Sequence, residues 1–331
     1  MMDKRIVKAL KNPRFACLAI VHRISPLIKS DELYLKIVYW LSVGKKLNLK
    51  EPKTFTEKLQ WLKLYNRRPE YTIMVDKVKA KEYVAKQIGE EHIIPTLGVW
   101  DSPEEIDFDA LPDQFVLKCN HNSGMGMCIC RDKSKLDVVK VKRELIKGLK
   151  QDYYMTNREW PYKNVPRKIM AEMFMQDVDK SKLKTDKTSC KNGKPEDWYV
   201  SSNQAKGSEG DETSNLTDYK FFCFNGEPVM MYVSHDNAEQ ATTDFFDMDY
   251  NRLPLRMKDP NSDVLPDRPQ EFEEMKLYAK QLCKNSPFLR VDFYVINHVV
   301  YFGELTFFHN SGLMHIQPYE WDQKLGDMLR L

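Results

Sequence analysis

Nowhere does the chain carry an apolar run approaching the roughly 18 residues that a helix needs to cross a bilayer. The start, MMDKRIVKALKNPRFACLAIVHRISPLIK, is basic. Its apolar patch FACLAIVHRI is short, is broken by His22-Arg23, and is followed by no small-residue cleavage site, so a secretory signal is not expected. A disulfide framework is missing as well. Seven cysteines is an odd number without framework spacing, which points to a reducing cytoplasm. Nor is there an excess of one charge sign. With a net charge of only +3, the molecule as a whole is not expected to bind nucleic acid. Internal repeats are absent. What these absences leave, at 331 residues with 42% hydrophobic and 30% charged, is a soluble globular chain long enough for two or three subdomains.

The charge that is present is uneven. Residues 1–70 hold 16 Lys and Arg against 6 Asp and Glu, or +10, which leaves about −7 for the remainder. Residues 3–47 have the spacing of amphipathic helices. This basic N-terminal region, 1–72, has two readings: a helical layer packed on the main body, or a surface that rests on anionic lipid at the inner face of the membrane. In EPKTFTEKLQWLKLYNRRPEY, Thr54 or Thr56 caps a helix carrying Leu59, Trp61, Leu62 and Leu64. Mixed α and β patterning then runs over 73–175. It comprises a helix ending at Gly89, a short strand in HIIPTLGVW, a surface helix or turn in PEEIDFDALP, strand–loop–strand in QFVLKCNHNSGMGMCICRD, a Lys-rich helix over 134–150 and a buried strand in RKIMAEMFMQD. Residues 176–217 are rich in Lys, Ser, Thr, Gly, Asp and Asn and read as a flexible polar insertion. Order resumes over 218–331. A hairpin forms around Asn225-Gly226, a helix follows in QEFEEMKLYAKQLCKN, and a second hairpin, VDFYVINHVVYFGELTFF, turns at Asn297-His298.

Four groups of residues could carry chemistry. In LKCNHNSGMGMCIC, Lys118 ends a strand and a loop with Ser123, Gly124 and Gly126 follows. Small residues let backbone N–H groups approach a phosphate, and the lysine adds a point charge. The lysine precedes the glycines, so this is no P-loop, and a plain hairpin turn is the competing reading. Cys119, His121, Cys128 and Cys130 are also potential zinc ligands, but their spacing is not that of a knuckle, and alternate strand residues simply share a face. Within the second hairpin, Asp292 and Glu304 are carboxylates on paired strands, the donors that Mg²⁺ takes. Thr306 and Arg290 fall two residues away on the same faces, and solvated charge at a hairpin end is the alternative. Finally, Lys220 opens a strand beside Asp218.

PKTFTEKLQWLKLYNR, LPDQFVLKCNH, REWPYKNV, DYKFFCFNGEP and RVDFY…YFGELTF, in this order, resemble the blocks of the TupA-like ATP-grasp family. That family is tied to bacterial surface-polysaccharide biosynthesis. The likeness covers most of residues 40–331, with the ATP-grasp superfamily's own motifs over roughly 73–315. It implies an α+β chain with the ATP-grasp fold, two α+β subdomains clasping ATP behind an N-terminal helical region. Residues 73–175 would hold the phosphate loop and the adenine strand, and 218–331 the metal site. Lys77 and Lys118 would contact phosphate, and Ser123, Gly124 and Gly126 would close over it. Glu172 would take the exocyclic amine side of adenine and the backbone from Met173 to Met175 the ring edge, with Asp177 or Asp179 on the ribose. Lys220 would face the transferred phosphate and Arg290 would steady an acyl phosphate. Asp292 and Glu304 would hold Mg²⁺. Here the chain departs from the family's Glu-x-Asn, having Thr306 where the asparagine stands, and HNSGL departs from a Pro-Gly run. His309, Asn310 and Ser311 would then face the acceptor.

The implied activity is an ATP- and Mg²⁺-dependent carboxylate–amine ligase in capsular or cell-wall polysaccharide assembly. It would take ATP, a carbohydrate or uronic-acid acceptor and an amino-acid donor. A glycosyltransferase using Asp247-Met248-Asp249 as a D-x-D metal site is the alternative, and a phosphotransferase acting on a sugar hydroxyl is a third.

Overall fold

A computed structural model describes residues 13–177, 216–236 and 241–331. Residues 178–215, which contain Asp179 and nearly all of the expected insertion, lie outside that description, as does the start of the basic N-terminus. The first helix, α1 (Pro13–Arg23), packs on α2 (Asp31–Val43). Ser30 caps α2 by accepting the Leu33 amide at 3.2 Å, and Gly44 ends it in the left-handed conformation. Tyr34, Leu35, Val38 and Tyr39 form its buried stripe. Helix α3 (Phe55–Tyr65) starts at Thr54, which accepts the Glu57 amide while the Glu57 side chain returns to the Thr54 amide. Of the two threonines expected there, Thr54 is the cap, and Thr56 instead donates to the buried Asp322 at 2.8 Å.

The next elements are α4 (Glu70–Val75), α5 (Lys79–Ile88), β1 (Thr96–Trp100), β2 (Phe115–Cys119), β3 (Met127–Cys130), α6 (Val138–Lys150), α7 (Tyr153–Asn157) and β4 (Ile169–Met173). The strand expected over HIIPTLGVW begins only at Thr96. His92 is buried and bridges to the Val300 carbonyl at 2.7 Å and the Tyr278 hydroxyl at 2.9 Å, so this stretch serves as a link between sheets. PEEIDFDALP holds only a short 3₁₀ turn, Pro103–Glu105. After residue 215 come β5 (Asp218–Phe224), β6 (Glu227–Asp236), β7 (Ala241–Asp247), α8 (Phe272–Cys283), β8 (Phe288–Ile296), β9 (Val299–Thr306) and α9 (Glu320–Met328).

Two antiparallel sheets result, β1-β4-β2-β3 and β7-β6-β5-β8-β9. Two hairpin turns of the larger sheet, Asn225-Gly226 and Asn297-His298, have positive φ at both central residues. That is the type I′ geometry whose twist matches the flanking strands. The large core lies under this sheet and is strongly aromatic. Phe55, Phe222, Phe224 and Phe288 sit 5.0–6.2 Å apart between ring centroids. Burying one such ring contributes about 1.5–3 kcal/mol. The smaller sheet has its own, thinner core of Phe115, Leu117, Ile169 and Ala171 closed by Val141 and Leu145 of α6.

Candidate active site

In the larger sheet, register lines up three charged residues on one face. Lys220 pairs with Asp292 and Asp292 with Glu304, across β5, β8 and β9. A bulge falls just beyond Asp292, where Gly303 lies close against the Asp292 carbonyl. Counted from the turn, Phe293 pairs with Phe302 and Asp292 would face Gly303; the bulge skips Gly303 and brings Glu304 opposite Asp292. Arg290 holds them from the adjacent position on β8. Its Nε and one terminal nitrogen donate to both Asp292 oxygens at 2.7 Å, that terminal nitrogen also reaches Glu304 at 2.5 Å, and the other donates to His309 Nδ1 at 2.9 Å. Lys220 adds ion pairs to Asp292 at 3.1 Å and Asp218 at 2.9 Å, and Thr306 donates to Glu304 at 3.0 Å. The Asp292 side chain is 1% exposed, whereas that of Glu304 is 42% exposed, so one carboxylate is sealed and the other presented. Burial alone would raise Glu304, but Arg290, Lys77 and Lys220 hold it down to about 2. Burial would lower Lys220, and Asp292 and Asp218 raise it instead.

Facing this row is a cleft lined by Lys77, Lys81, Lys118 and Glu172 from the first half of the chain and by Phe302–Leu305 of β9, with Tyr162 at its side. Lys77 sits just before α5. Its amide donates to the Asn120 carbonyl at 3.2 Å and its ammonium reaches the Asn122 carbonyl. Asn120 fixes that geometry by donating to Asp76 and the Pro166 carbonyl, both at 2.8 Å. Lys118 on β2 is ion-paired with Glu172 of β4, and Lys81 reaches the other Glu172 oxygen at 2.6 Å. Burial pushes Glu172 up, but Lys118 and Lys81 more than offset it and the carboxyl lies below its ordinary value. Burial lowers Lys77, with Glu304 acting in the opposite direction.

The loop Ser123–Gly126 is positioned by left-handed glycines, Gly124 at φ +79° and Gly126 at φ +69°. Beyond β4, the Met173 amide donates to the Pro95 carbonyl at 3.0 Å, Met175 is half-buried, and Asp177 accepts the Asn297 amide of the β8–β9 turn at 2.8 Å. The structure thus brings Lys77, Lys118, Glu172 and Glu304 to one cleft, with Asp292, Arg290, Lys220 and Thr306 directly behind. Asp177 is tied to the hairpin's tip.

Several residues of this neighbourhood escaped sequence reasoning. Lys81 lies one helical turn beyond Lys77, a spacing that could have marked it. Lys63, Gln60, Asn157 and Glu159 surround the turn His309–Gly312, where Asn310, Ser311 and Gly312 all have positive φ. Gln60 and Lys63 donate to the Ser311 carbonyl at 2.9 and 2.8 Å, Asn157 donates to the Ser311 hydroxyl at 2.9 Å, and that hydroxyl donates to Glu159. A strained turn of this kind persists only where its surroundings hold it. His309 is buried against Arg290 and Ser311 is buried in this network; of the three residues expected to face the acceptor, Asn310 alone is exposed.

Three of the four potential zinc residues have other partners. Cys119 contacts the Leu145 carbonyl, Cys130 the Asp113 carbonyl and His121 the Gln151 carbonyl. Among the described residues no three of His, Cys, Asp and Glu converge to hold a metal. Asp247 of the D-x-D closes a turn, accepting the amides of Asp249 and Asn251 at 3.0 and 2.8 Å.

The profile of the TupA-like ATPgrasp family matches residues 57–205 and 203–330. The chain belongs to the TupA-like ATP-grasp family. Its two sheets and flanking helices are accordingly the ATP-grasp fold. Solved structures to which this TupA-like chain is similar include three ligases. One is an L-amino acid ligase from Bacillus licheniformis, at 12% identity and a TM-score of 0.43, with 92% of this chain and 63% of that one covered. Another is a D-alanine–D-alanine ligase from Helicobacter pylori, at 14% and 0.39, covering 83% and 69%. The third is the ATP-grasp ligase PsnB complexed with a minimal precursor, at 9% and 0.36, covering 76% and 58%. The chain thus spans 58% of the PsnB chain's length. A comparison with curated proteins returns no match.

Proposed function

We propose that the chain is an ATP- and Mg²⁺-dependent carboxylate–amine ligase. The observation that carries this reading is the shared cleft, in which Lys77, Lys118 and Glu172 face Glu304. A carboxylate is a poor electrophile because oxide would have to leave. Its oxygen attacks the γ-phosphorus, the bond to the β–γ bridging oxygen breaks, and ADP departs. An amine then attacks the acyl carbon, the C–N bond forms, inorganic phosphate leaves, and the amine's proton passes to a base or to solvent. Little covalent chemistry falls to the protein, which positions the reactants and offsets phosphate charge. Lys77 and Lys118 meet the phosphates, with Ser123, Gly124 and Gly126 closing over them. Lys220 and Arg290 stand where charge moves onto the acyl phosphate. Glu172, the backbone at Met173 to Met175 and Asp177 or Asp179 hold the nucleoside.

The donor set suits Mg²⁺. Two carboxylates, with Thr306 beside them, are what this ion takes when phosphates and water complete its shell. Asp292 and Glu304 would hold it, and when bound it neutralises charge on the phosphates.

A uronic-acid carboxylate and an amino-acid amine are the substrate pair we assign, in capsular or cell-wall polysaccharide assembly, on the strength of the family's tie to that chemistry. We place the chain in the cytoplasm at the inner face of the membrane. Ile20, Ile24, Leu27, Leu33 and Trp40 are exposed on the first two helices and the turn between them, alongside exposed Arg23 and Lys29. Apolar side chains flanked by cations suit an anionic lipid surface. Incubation with ATP, Mg²⁺ and a panel of uronic acids and amino acids tests the reading. ADP release that depends on both partners is expected. Turnover of a sugar nucleotide without ATP would overturn it in favour of glycosyl transfer, and ADP release with phosphate left on a sugar hydroxyl in favour of a phosphotransferase.

A further inference from the structure

Helix α6 contains a glycine, Gly148, within its last turn, in VVKVKRELIKGLK. A glycine inside a helix costs about 1 kcal/mol relative to alanine, so its presence asks for a packing reason. A Cβ built on Gly148 would lie 2.7 Å from Cys119 Sγ and 2.7 Å from the Gly126 Cα. The reverse is also true, since a Cβ on Gly126 would lie 2.8 Å from Cys119 Sγ and 2.9 Å from the Gly148 Cα. Both backbones therefore touch, with the thiol of β2 filling the notch beside them. Two hydrogen bonds join the same surfaces. Asn122 donates to the Gly148 carbonyl at 3.2 Å and His121 bonds the Gln151 carbonyl at 3.1 Å. Both ends of the loop, 121–122 and 126, thus rest on the last turn of α6 and the residue after it. At the tip the environment reverses. A Cβ on Gly124 would meet nothing within 4 Å, and Met125 is 44% exposed.

We propose that Gly148 is a positioning residue for the nucleotide's phosphates. It seats the Asn120–Gly126 loop against α6, so that only Ser123, Gly124 and Met125 need to order when phosphate arrives. This rests on the reading of that loop as the phosphate loop. Lys77 belongs to the same arrangement, because its ammonium bonds the Asn122 carbonyl. Displacing the loop from Gly148 would shift a phosphate-facing cation along with the loop's own amides. The nucleoside's expected contacts, on β4 and the segment after it, would be untouched.

Calorimetric titration of the full chain with Mg·ATP and, separately, with adenosine provides the test. Overpacking of this kind costs enough to weaken ATP binding about tenfold or more in Gly148→Ala, with adenosine binding unchanged. Asn122→Ala removes one tie without adding volume and is expected to weaken ATP about threefold, again sparing adenosine. Equal ATP affinity in Gly148→Ala and the wild type overturns the inference, as does an equal loss of both ligands. Should Gly148→Ala fail to fold, the Asn122→Ala split decides: selective loss of ATP supports the proposal, and no selectivity overturns it. A wild-type chain that binds adenosine as tightly as ATP refutes the phosphate-loop reading itself, and this inference falls with it.

Discussion

The two sheets hold their charges in opposite ways. In β7-β6-β5-β8-β9 the cations are locked onto a buried carboxylate, with Glu304 alone presented to the cleft. Arg290 donates to Asp292, Glu304 and His309, and Asp292 is 1% exposed. In β1-β4-β2-β3 the lysines stand at the cleft wall, and Lys118, 23% exposed, leans on Glu172 alone. A sealed cage is preorganised and costs dearly to break, because an unpaired buried charge has no water to turn to. A single ion pair at a cleft wall is worth less, and its lysine can be exchanged onto a phosphate. The aromatic core under the larger sheet makes the first arrangement affordable, and the thin core of the smaller sheet leaves the second free to adjust. On this view the larger sheet supplies a fixed anionic seat and the smaller one supplies adaptable cations.

The largest effect that would test this contrast is on folding. Arg290→Met removes the bidentate partner of the buried Asp292, leaving it only the longer contact to Lys220, and should cost about 3 kcal/mol in urea denaturation, the lower end of the range for breaking a buried pair from one side. A loss below 1 kcal/mol would mean that the cage is not sealed. Next comes Lys118→Met, whose effect should fall on turnover. ADP release is expected to drop on the order of 10²–10³, as when one charge-stabilising donor is removed, with urea stability nearly unchanged. A large stability loss without a rate loss would mean that Lys118 holds the fold together and does not meet phosphate. The smallest effect is in pH dependence. Burial holds Lys63 below the ordinary lysine value of 10.5. Between the lowered value and the ordinary one, the unfolded chain binds the proton and the folded chain has released it, so Lys63 makes stability rise with pH across that alkaline interval. Lys63→Met should remove that part of the rise, and an unchanged alkaline slope would show that Lys63 is not desolvated as described.

The hairpin was legible because strands announce themselves locally. Alternation of Val, Phe, Tyr and Ile around Asn297-His298 specified a two-residue turn, and turn length in a hairpin sets the register. That register holds from the turn to Phe293 opposite Phe302; the bulge beyond it, which the alternation did not announce, is what sets Asp292 opposite Glu304. The capping box at Thr54 was readable for the same reason, as its partners lie three residues apart. Lys63, Gln60 and Glu159 were not readable. Lys63 and Gln60 look like the solvated face of α3 and Glu159 like a loop charge, and they are buried around Ser311, which arrives from 152 residues beyond Glu159. The late start of β1 has a similar origin, in the bond of His92 to Val300, 208 residues away. Local patterns carry no record of such partners.

The claim on which all of this depends is that cations of one sheet and carboxylates of the other enclose the same triphosphate. A crystal structure of the chain with Mg²⁺ and a non-hydrolysable ATP analogue measures it directly. The account predicts phosphates within hydrogen-bond reach of Lys77 and Lys118, and a metal ion joining them to Asp292 and Glu304. A nucleotide bound elsewhere, or phosphates with none of these four side chains around them, would contradict it.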